Sequence, residues 1–233
     1  MNDFSDKRKY EFKADEKEEG WIEVHSGAVT NTNPGSMVYV KINTDRICEG
    51  MTNKEFRDIV NDVLTRAIPL VDARIGALGK WSERERARVH RWFGRSDEAA
   101  RATLLAGLPK VANVLRQLTP ANFVRTGSPG DLATGCMPNP AGTGQEAAHV
   151  CAPDTATHTI SISPKFCGMR HWSADADSRV STVIHEVTHF LDTMATVDKK
   201  YTIAFTLRDW AQENPDLALI NADSIAGYVV DGD

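Results

Sequence analysis

The sequence predicts an α+β chain that is mainly helical, with a small β-sheet set between helices and its most distinctive motif on a helix. Three observations predict it. Apolar residues recur at helical spacing over most of residues 52–118, whereas Asn122 to Lys165 alternates apolar and polar between loops rich in Gly and Pro. The helical period then returns around His185, Glu186 and His189.

Taken in order, residues 1–35 are rich in charge, Gly, Asn and Thr without a sustained period. They read as a flexible or loosely packed extension, and residues 36–233 as a single domain, with order expected from SMVYVKI at 36–42. Thr52 is the expected N-cap of a long helix, with Glu55 completing a capping box and Phe56, Ile59, Val60, Val63, Leu64 and Ile68 on its apolar side; Pro69 is a candidate bend. Residues 81–94 form a second helix ending at Gly94. A third runs from about Ser96 to Leu118, with Pro109 as a candidate kink. NFVRT, AAHVC and HTISIS read as short strands. Ser173 is the expected start of the motif helix, with Val180, Val183, Ile184, Val187, Phe190 and Leu191 as its apolar side. Two helical segments follow, near 199–213 and 216–230, interrupted by Asn214 and Pro215.

Composition narrows the function classes. The 233 residues are 41% apolar, enough for a sizeable core. With 27 basic and 32 acidic side chains the net charge is -5, and no dense Lys/Arg patch is interleaved with aromatics, so nucleic acid is not an expected partner. No uninterrupted apolar run is long enough to cross a bilayer, and the N-terminus lacks the apolar stretch of a signal peptide. Three settings remain: the cytoplasm, export by a route that needs no such signal, or a chain that begins after a removed one. Cys48, Cys136, Cys151 and Cys167 form no CxxC pair, which argues against a cysteine zinc site. They read either as disulfides of an oxidising compartment or as buried thiols.

His185-Glu186-Val187-Thr188-His189 is an HExxH motif, and its flanks support a helix. Positions i and i+4 project from one helical face, so both imidazoles can converge on one metal while Glu186 sits beside them as general base. Two neutral imidazoles and a carboxylate suit zinc and leave one coordination position open, as catalysis needs. The apolar flanks place the helix in the core, where unpartnered His and Glu would be costly.

A third ligand must come from elsewhere. No histidine follows His189, and Ala195 stands where HExxHxxGxxH would need one. Asp192 lies on the order of 10 Å along the helix from His185, and suits a supporting or helix-end role. Asp198, Asp209, Glu213, Asp216 and Asp223 remain. Glu213 would give a thermolysin-like arrangement from a later helix, and Asp198 a ligand delivered by the turn after the motif. His149, His158 and His171 lack ligand spacing, and Trp81, Trp92, Trp172 and Trp210 read as core or cleft wall.

HEVTHF followed by ATVDKKY resembles the deuterolysin-type aspzincins, most closely their peptidyl-lysine metalloendopeptidase branch, whose HExxH is followed by a Gly-Thr-x-Asp-x-x-Tyr block. Thr196, Asp198 and Tyr201 occupy the Thr, Asp and Tyr positions, and Ala195 replaces the Gly. Trp92-Phe93-Gly94, KFCGMRHW at 165–172 and Asn221-Ala222-Asp223 are also similar, so the likeness spans roughly residues 45–230. It implies a zincin-like fold, a single Zn2+ held by His185, His189 and Asp198, Glu186 as base, and Tyr201 as the hydrogen-bond donor to the oxyanion. Cys48 matches the family's first cysteine, which implies the pairs Cys48–Cys136 and Cys151–Cys167. In the lysine-specific branch an acid at Asp223 helps receive a basic side chain after the cut bond, together with a second acid one turn on; this chain has Ala226 there, so Asp223 reads equally as a substrate contact or as a structural hydrogen-bonding residue.

The expectation is therefore a monomeric zinc endopeptidase acting on protein or peptide substrates, with a preference for a basic residue after the cut, and with an exported toxin or effector as the setting favoured over the cytoplasm. Two alternatives stand beside it: a zinc-containing domain that acts by docking on a partner, and a peptidase ligated through Glu213.

Overall fold

Thr52 accepts from the Glu55 amide while Glu55 returns a 2.7 Å bond to the Thr52 amide, and this capping box starts the longest helix, α1 (Asn53–Lys80). The computed structural model describes residues 46–136 and 146–232. The expected extension at 1–35 and the strand-like 36–42 lie outside them. Phe56, Val60, Val63, Leu64, Ala67, Val71 and Leu78 form one buried stripe, so the helical period continues through Pro69. Ser82 and Asp97 cap α2 (Glu83–Phe93) and α3 (Glu98–Gln117), and Gly94 ends α2 in the left-handed conformation at φ 66. α3 also runs through its proline, Pro109.

The three expected strands form one small sheet in the order β1-β3-β2, from Phe123–Arg125, Ala148–Val150 and Ile160–Ile162. β1 is parallel to β3 (Phe123 opposite Ile160) and β2 antiparallel to it (Ala148 opposite Ile162). Ile160 and Ile162 on the central strand are fully buried; Ser161 between them donates a 2.6 Å bond to Asp131 on the short helix α4 (Pro129–Leu132). Asp131 also accepts the Gly127 amide at 2.7 Å and pairs with His149 on β2 at 3.0 Å. A buried carboxylate thus ties sheet and loop together.

After α5 (Pro164–Gly168), the motif helix α6 (Arg179–His189) starts later than its sequence pattern predicts. Ser178, not Ser173, is the cap, accepting from Ser181; Ser173 instead hydrogen-bonds Asp175 in a turn. Short polar side chains that bond their own backbone and near neighbours compete with helix, and SADADS is rich in them. The last segments are α7 (Phe205–Glu213), α8 (Pro215–Ala218) and α9 (Ala222–Val230); the break at Asn214 and Pro215 is the expected one, but residues 199–204 are non-helical and the segment expected near 216–230 is itself split at 219–221.

α6 lies at the centre, packed on α1, α3, α9 and β2. Two close approaches need glycine. A Cβ on Gly107 of α3 would sit 2.5 Å from Met194, and one on Gly227 of α9 would run into the Trp92 ring. The far end of α9 is fixed by Arg74, which donates to the Tyr228 carbonyl at 3.1 Å, and by the Tyr228 hydroxyl bonded to Glu85, itself paired with Arg88 at 2.6 Å.

Four cysteines form two disulfides, but the pairing is Cys48–Cys167 and Cys136–Cys151, not the one the family resemblance implied. The reason is packing. Phe56 of α1 stacks near Phe166 of α5, with centroids 6.4 Å apart, which brings the chain before α1 beside Cys167. Asp131 draws α4 onto β2, so Cys136 arrives next to Cys151 with Cα atoms 5.6 Å apart.

Candidate metal centre and active site

α6 projects His185 and His189 from one face, and their Nε2 atoms lie 3.0 Å apart. Asp198 Oδ1 lies 3.2 Å from His185 Nε2 and 3.4 Å from His189 Nε2. These three are the group among the described residues whose ligand atoms gather within 4.8 Å and could hold a metal ion. Each imidazole is held from behind. Asp223 Oδ1 lies 2.6 Å from His185 Nδ1, and the Thr196 carbonyl 2.9 Å from His189 Nδ1. A ring nitrogen that donates to an oxygen fixes the neutral tautomer, leaving a lone pair on the opposite nitrogen. Two such lone pairs and a carboxylate oxygen aimed at one point repel unless a cation lies between them. The donor set therefore fits zinc, which takes nitrogen and oxygen ligands and leaves a fourth position open.

The electrostatics agree. Burial opposes charge on His185, but Asp223 and Asp198 outweigh it and hold the imidazole pKa well above its ordinary value; His189 is raised against its burial by Asp198 and Glu186. Burial also opposes charge on Asp198, yet its bonds to the two histidines drive its pKa far down. The site is thus a pocket of negative potential that attracts positive charge.

Asp198 reaches the pocket because the chain reverses after α6. Ala195 takes the left-handed conformation at φ 48, the turn in which the related block has glycine. Thr193 donates to the Val187 carbonyl at 2.6 Å, and the Thr196 amide to the Thr188 carbonyl at 3.1 Å, locking the turn to the helix end. Met194 enters the Gly107 notch. Asn221 then holds the next residues through its side chain.

Glu186 is 4% exposed beside the two histidines, and burial raises its pKa despite their positive field. Tyr201 is 61% exposed and interacts with Asp198. Its phenol pKa is pushed up by partial burial and by the Asp198 charge, so the phenol keeps its proton and can donate.

The structure does not gather every candidate. Glu213 is exposed at the end of α7, away from the histidines, so the Glu213-ligated arrangement has no support. Asp223, expected to receive a substrate side chain, has both oxygens engaged by the protein: His185 on one, the Thr202 amide at 2.5 Å on the other. Ala226 is fully buried. Asp192 pairs with His158 at 3.0 Å, and His149 with Asp131. His171 is exposed, and Trp92 is core. Thr196 and Asn221, which the family resemblance includes without a role, act on the site through backbone groups, and Asp177, which does the same, left no spacing signature in the sequence.

The comparisons with known proteins point the same way. The family model of the aspzincins, described as lysine-specific metallo-endopeptidase, matches residues 79–230. A zinc peptidase from Grifola frondosa is similar in fold, with a TM-score of 0.57 and 18% identity over 76% of this chain and 94% of that one. Among curated proteins none matches the chain significantly in sequence.

Proposed function

The chain belongs to the aspzincin family of zinc metallopeptidases, and on that premise we propose that it is an endopeptidase in which His185, His189 and Asp198 hold the zinc, Glu186 is the general base and Tyr201 the oxyanion donor. The observation that carries this reading is the convergence of His185 Nε2, His189 Nε2 and Asp198 Oδ1, with both Nδ1 atoms turned to oxygens of the protein. Zinc, when bound, supplies a Lewis acid that polarises the scissile carbonyl and lowers the pKa of water. Glu186 takes the proton of the attacking water and delivers it to the leaving amine. A carboxylate suits both halves of that task, since the base must also give the proton back. Tyr201 donates to the carbonyl oxygen as it becomes an oxyanion, a contribution of about two to three orders of magnitude in rate.

Asp223 belongs to this reading as the carboxylate that orients His185. A preference for a basic residue after the cut rests on the family's description as lysine-specific. It does not rest on a free carboxylate at Asp223. All five site residues come from one chain, so the site needs no second copy to be complete. The two disulfides support a destination outside a reducing cytosol, which agrees with export and does not bear on a toxin or effector role.

The test is metal analysis of the purified chain joined to digestion of a denatured protein mixture. One zinc per chain, activity abolished by a chelator and restored by zinc, and a Glu186→Gln variant that keeps the metal but loses activity are expected. Wild-type turnover in Glu186→Gln would sink the mechanism. Cleavage sites without Lys or Arg enrichment after the cut would remove the specificity and leave the peptidase.

A further inference from the structure

The segment that follows Asp198 is held by its backbone amides, and the acceptors are side chains from two directions. The Lys199 and Lys200 amides donate to Asn221 Oδ1 at 2.8 and 2.9 Å, and the Thr202 amide to Asp223 Oδ2 at 2.5 Å. Those acceptors sit at the start of α9. The Ile203 amide instead donates to Asp177 Oδ1 at 2.8 Å, and the Thr202 hydroxyl to Asp177 Oδ2 at 3.2 Å. Asp177 immediately precedes Ser178, the cap of the motif helix.

Thr202 sits at φ 89, a conformation that a β-branched residue adopts only when its surroundings enforce it. Hydrogen bonds to charged groups are among the stronger ones, and capture by two carboxylates, Asp177 and Asp223, holds that strained conformation in place. Tyr201 lies between the residues held by Asn221 and those held by Asp177. With 61% of its surface exposed, its ring is not aimed by packing. Its phenol meets Asp198, and the backbone on either side sets where the ring starts from.

We propose that Asp177 is a positioning residue for Tyr201, fixing Thr202 and Ile203 to the head of the motif helix so that the phenol stays over the metal-facing cleft. The inference rests on the reading of Tyr201 as oxyanion donor. It makes the substrate-facing Tyr201 part of the same rigid body as His185 and His189.

A double-mutant cycle on the zinc-loaded full chain, with denatured casein as substrate, tests it. Tyr201→Phe alone should lower kcat about 100-fold. Asp177→Ala should lower kcat at least roughly tenfold with zinc stoichiometry unchanged, and Asp177→Asn, which keeps an acceptor for the Ile203 amide, should recover most of the loss. In the Asp177→Ala background, Tyr201→Phe should cost no more than about tenfold, what remains of the 100-fold penalty once Asp177→Ala has taken its share, because a phenol already misplaced has less to lose. A merely structural Asp177 would leave the Tyr201→Phe penalty at its full size, and that result overturns the proposal. A silent Tyr201→Phe in the otherwise unaltered chain would overturn the oxyanion reading and the proposal together, which separates the two failures. Should Asp177→Ala not fold, Asp177→Ser, too short to reach Ile203, repeats the cycle: a Tyr201→Phe penalty that shrinks supports the proposal, and one that stays at full size overturns it.

Discussion

Asp223 and His185 are joined by a 2.6 Å bond between Oδ1 and Nδ1, across 38 residues of sequence, and the second carboxylate oxygen holds the Thr202 amide. One buried side chain thus orients a candidate zinc ligand and the backbone next to Tyr201. Substituting a carboxylate that orients a metal-binding histidine typically costs 10–100-fold in affinity or activity. Asp223→Ala should therefore weaken zinc binding by about that factor in competition with a chelator. If Asp223→Ala bound zinc normally and lost only a preference for basic residues, the substrate-contact role would be restored.

The third ligand separates in the same titration. Asp198 Oδ1 is within 3.4 Å of both Nε2 atoms, and Glu213 is exposed on another helix. Asp198→Ala should weaken zinc by at least roughly tenfold, since it removes an anion from the metal itself, while Glu213→Ala leaves affinity nearly unchanged. The reverse order would place the chain's chemistry beside thermolysin.

Away from the metal, Asp131 supplies a pH test. Burial raises its pKa, but the bonds from Ser161, Gly127 and His149 outweigh that and leave it below the ordinary value. A carboxylate with a depressed folded pKa contributes stability that is present above its unfolded pKa of about 4 and lost as pH falls through the folded one. In excess chelator, Asp131→Asn should be about 1–3 kcal/mol less stable at pH 7, and the gap should close progressively below about pH 4. A gap that stayed constant down to pH 2 would show that the charge of Asp131 contributes nothing.

Much of this was legible in the sequence, and for physical reasons. Caps and periodicity are local, so Thr52 with Glu55, Gly94, the three strands and the break at Asn214-Pro215 could be read directly. HExxH is local too, because one helix supplies two imidazoles and the base. Two local readings failed, the helix starts expected at Ser173 and near 199, and the other failures were long-range. The cysteine partners depend on Phe56 meeting Phe166 and on Asp131 meeting His149, neither of which has a spacing rule. Asp223 stands out in the sequence but not its true neighbour, since nothing there says that α9 packs along α6. Asp177 and the grip of Asn221 leave no trace because both hold amides, which every residue but proline has.

The Ala195 turn permits a last prediction in which two opposing effects can be weighed. At φ 48 an alanine carries a steric penalty on the order of 1–2 kcal/mol that glycine does not. Glycine, however, gains conformational freedom in the unfolded chain, which costs about 0.4–1 kcal/mol of stability. The first effect is the larger, so Ala195→Gly should be neutral to about 1 kcal/mol more stable. Its zinc affinity should stay within about threefold, because Thr193, Thr196 and Met194 hold the turn on either side. Ala195→Val is the contrasting variant. A β-branched side chain is a genuine outlier at this φ, and strain of about 1–3 kcal/mol would be relieved by moving the turn. That movement carries the Thr196 carbonyl away from His189 Nδ1, so zinc affinity should fall along with stability. Thermal melts and chelator titrations of both variants decide it: a glycine variant more than about 1 kcal/mol less stable than the parent would mean that the alanine methyl packs favourably and that the left-handed turn carries no strain.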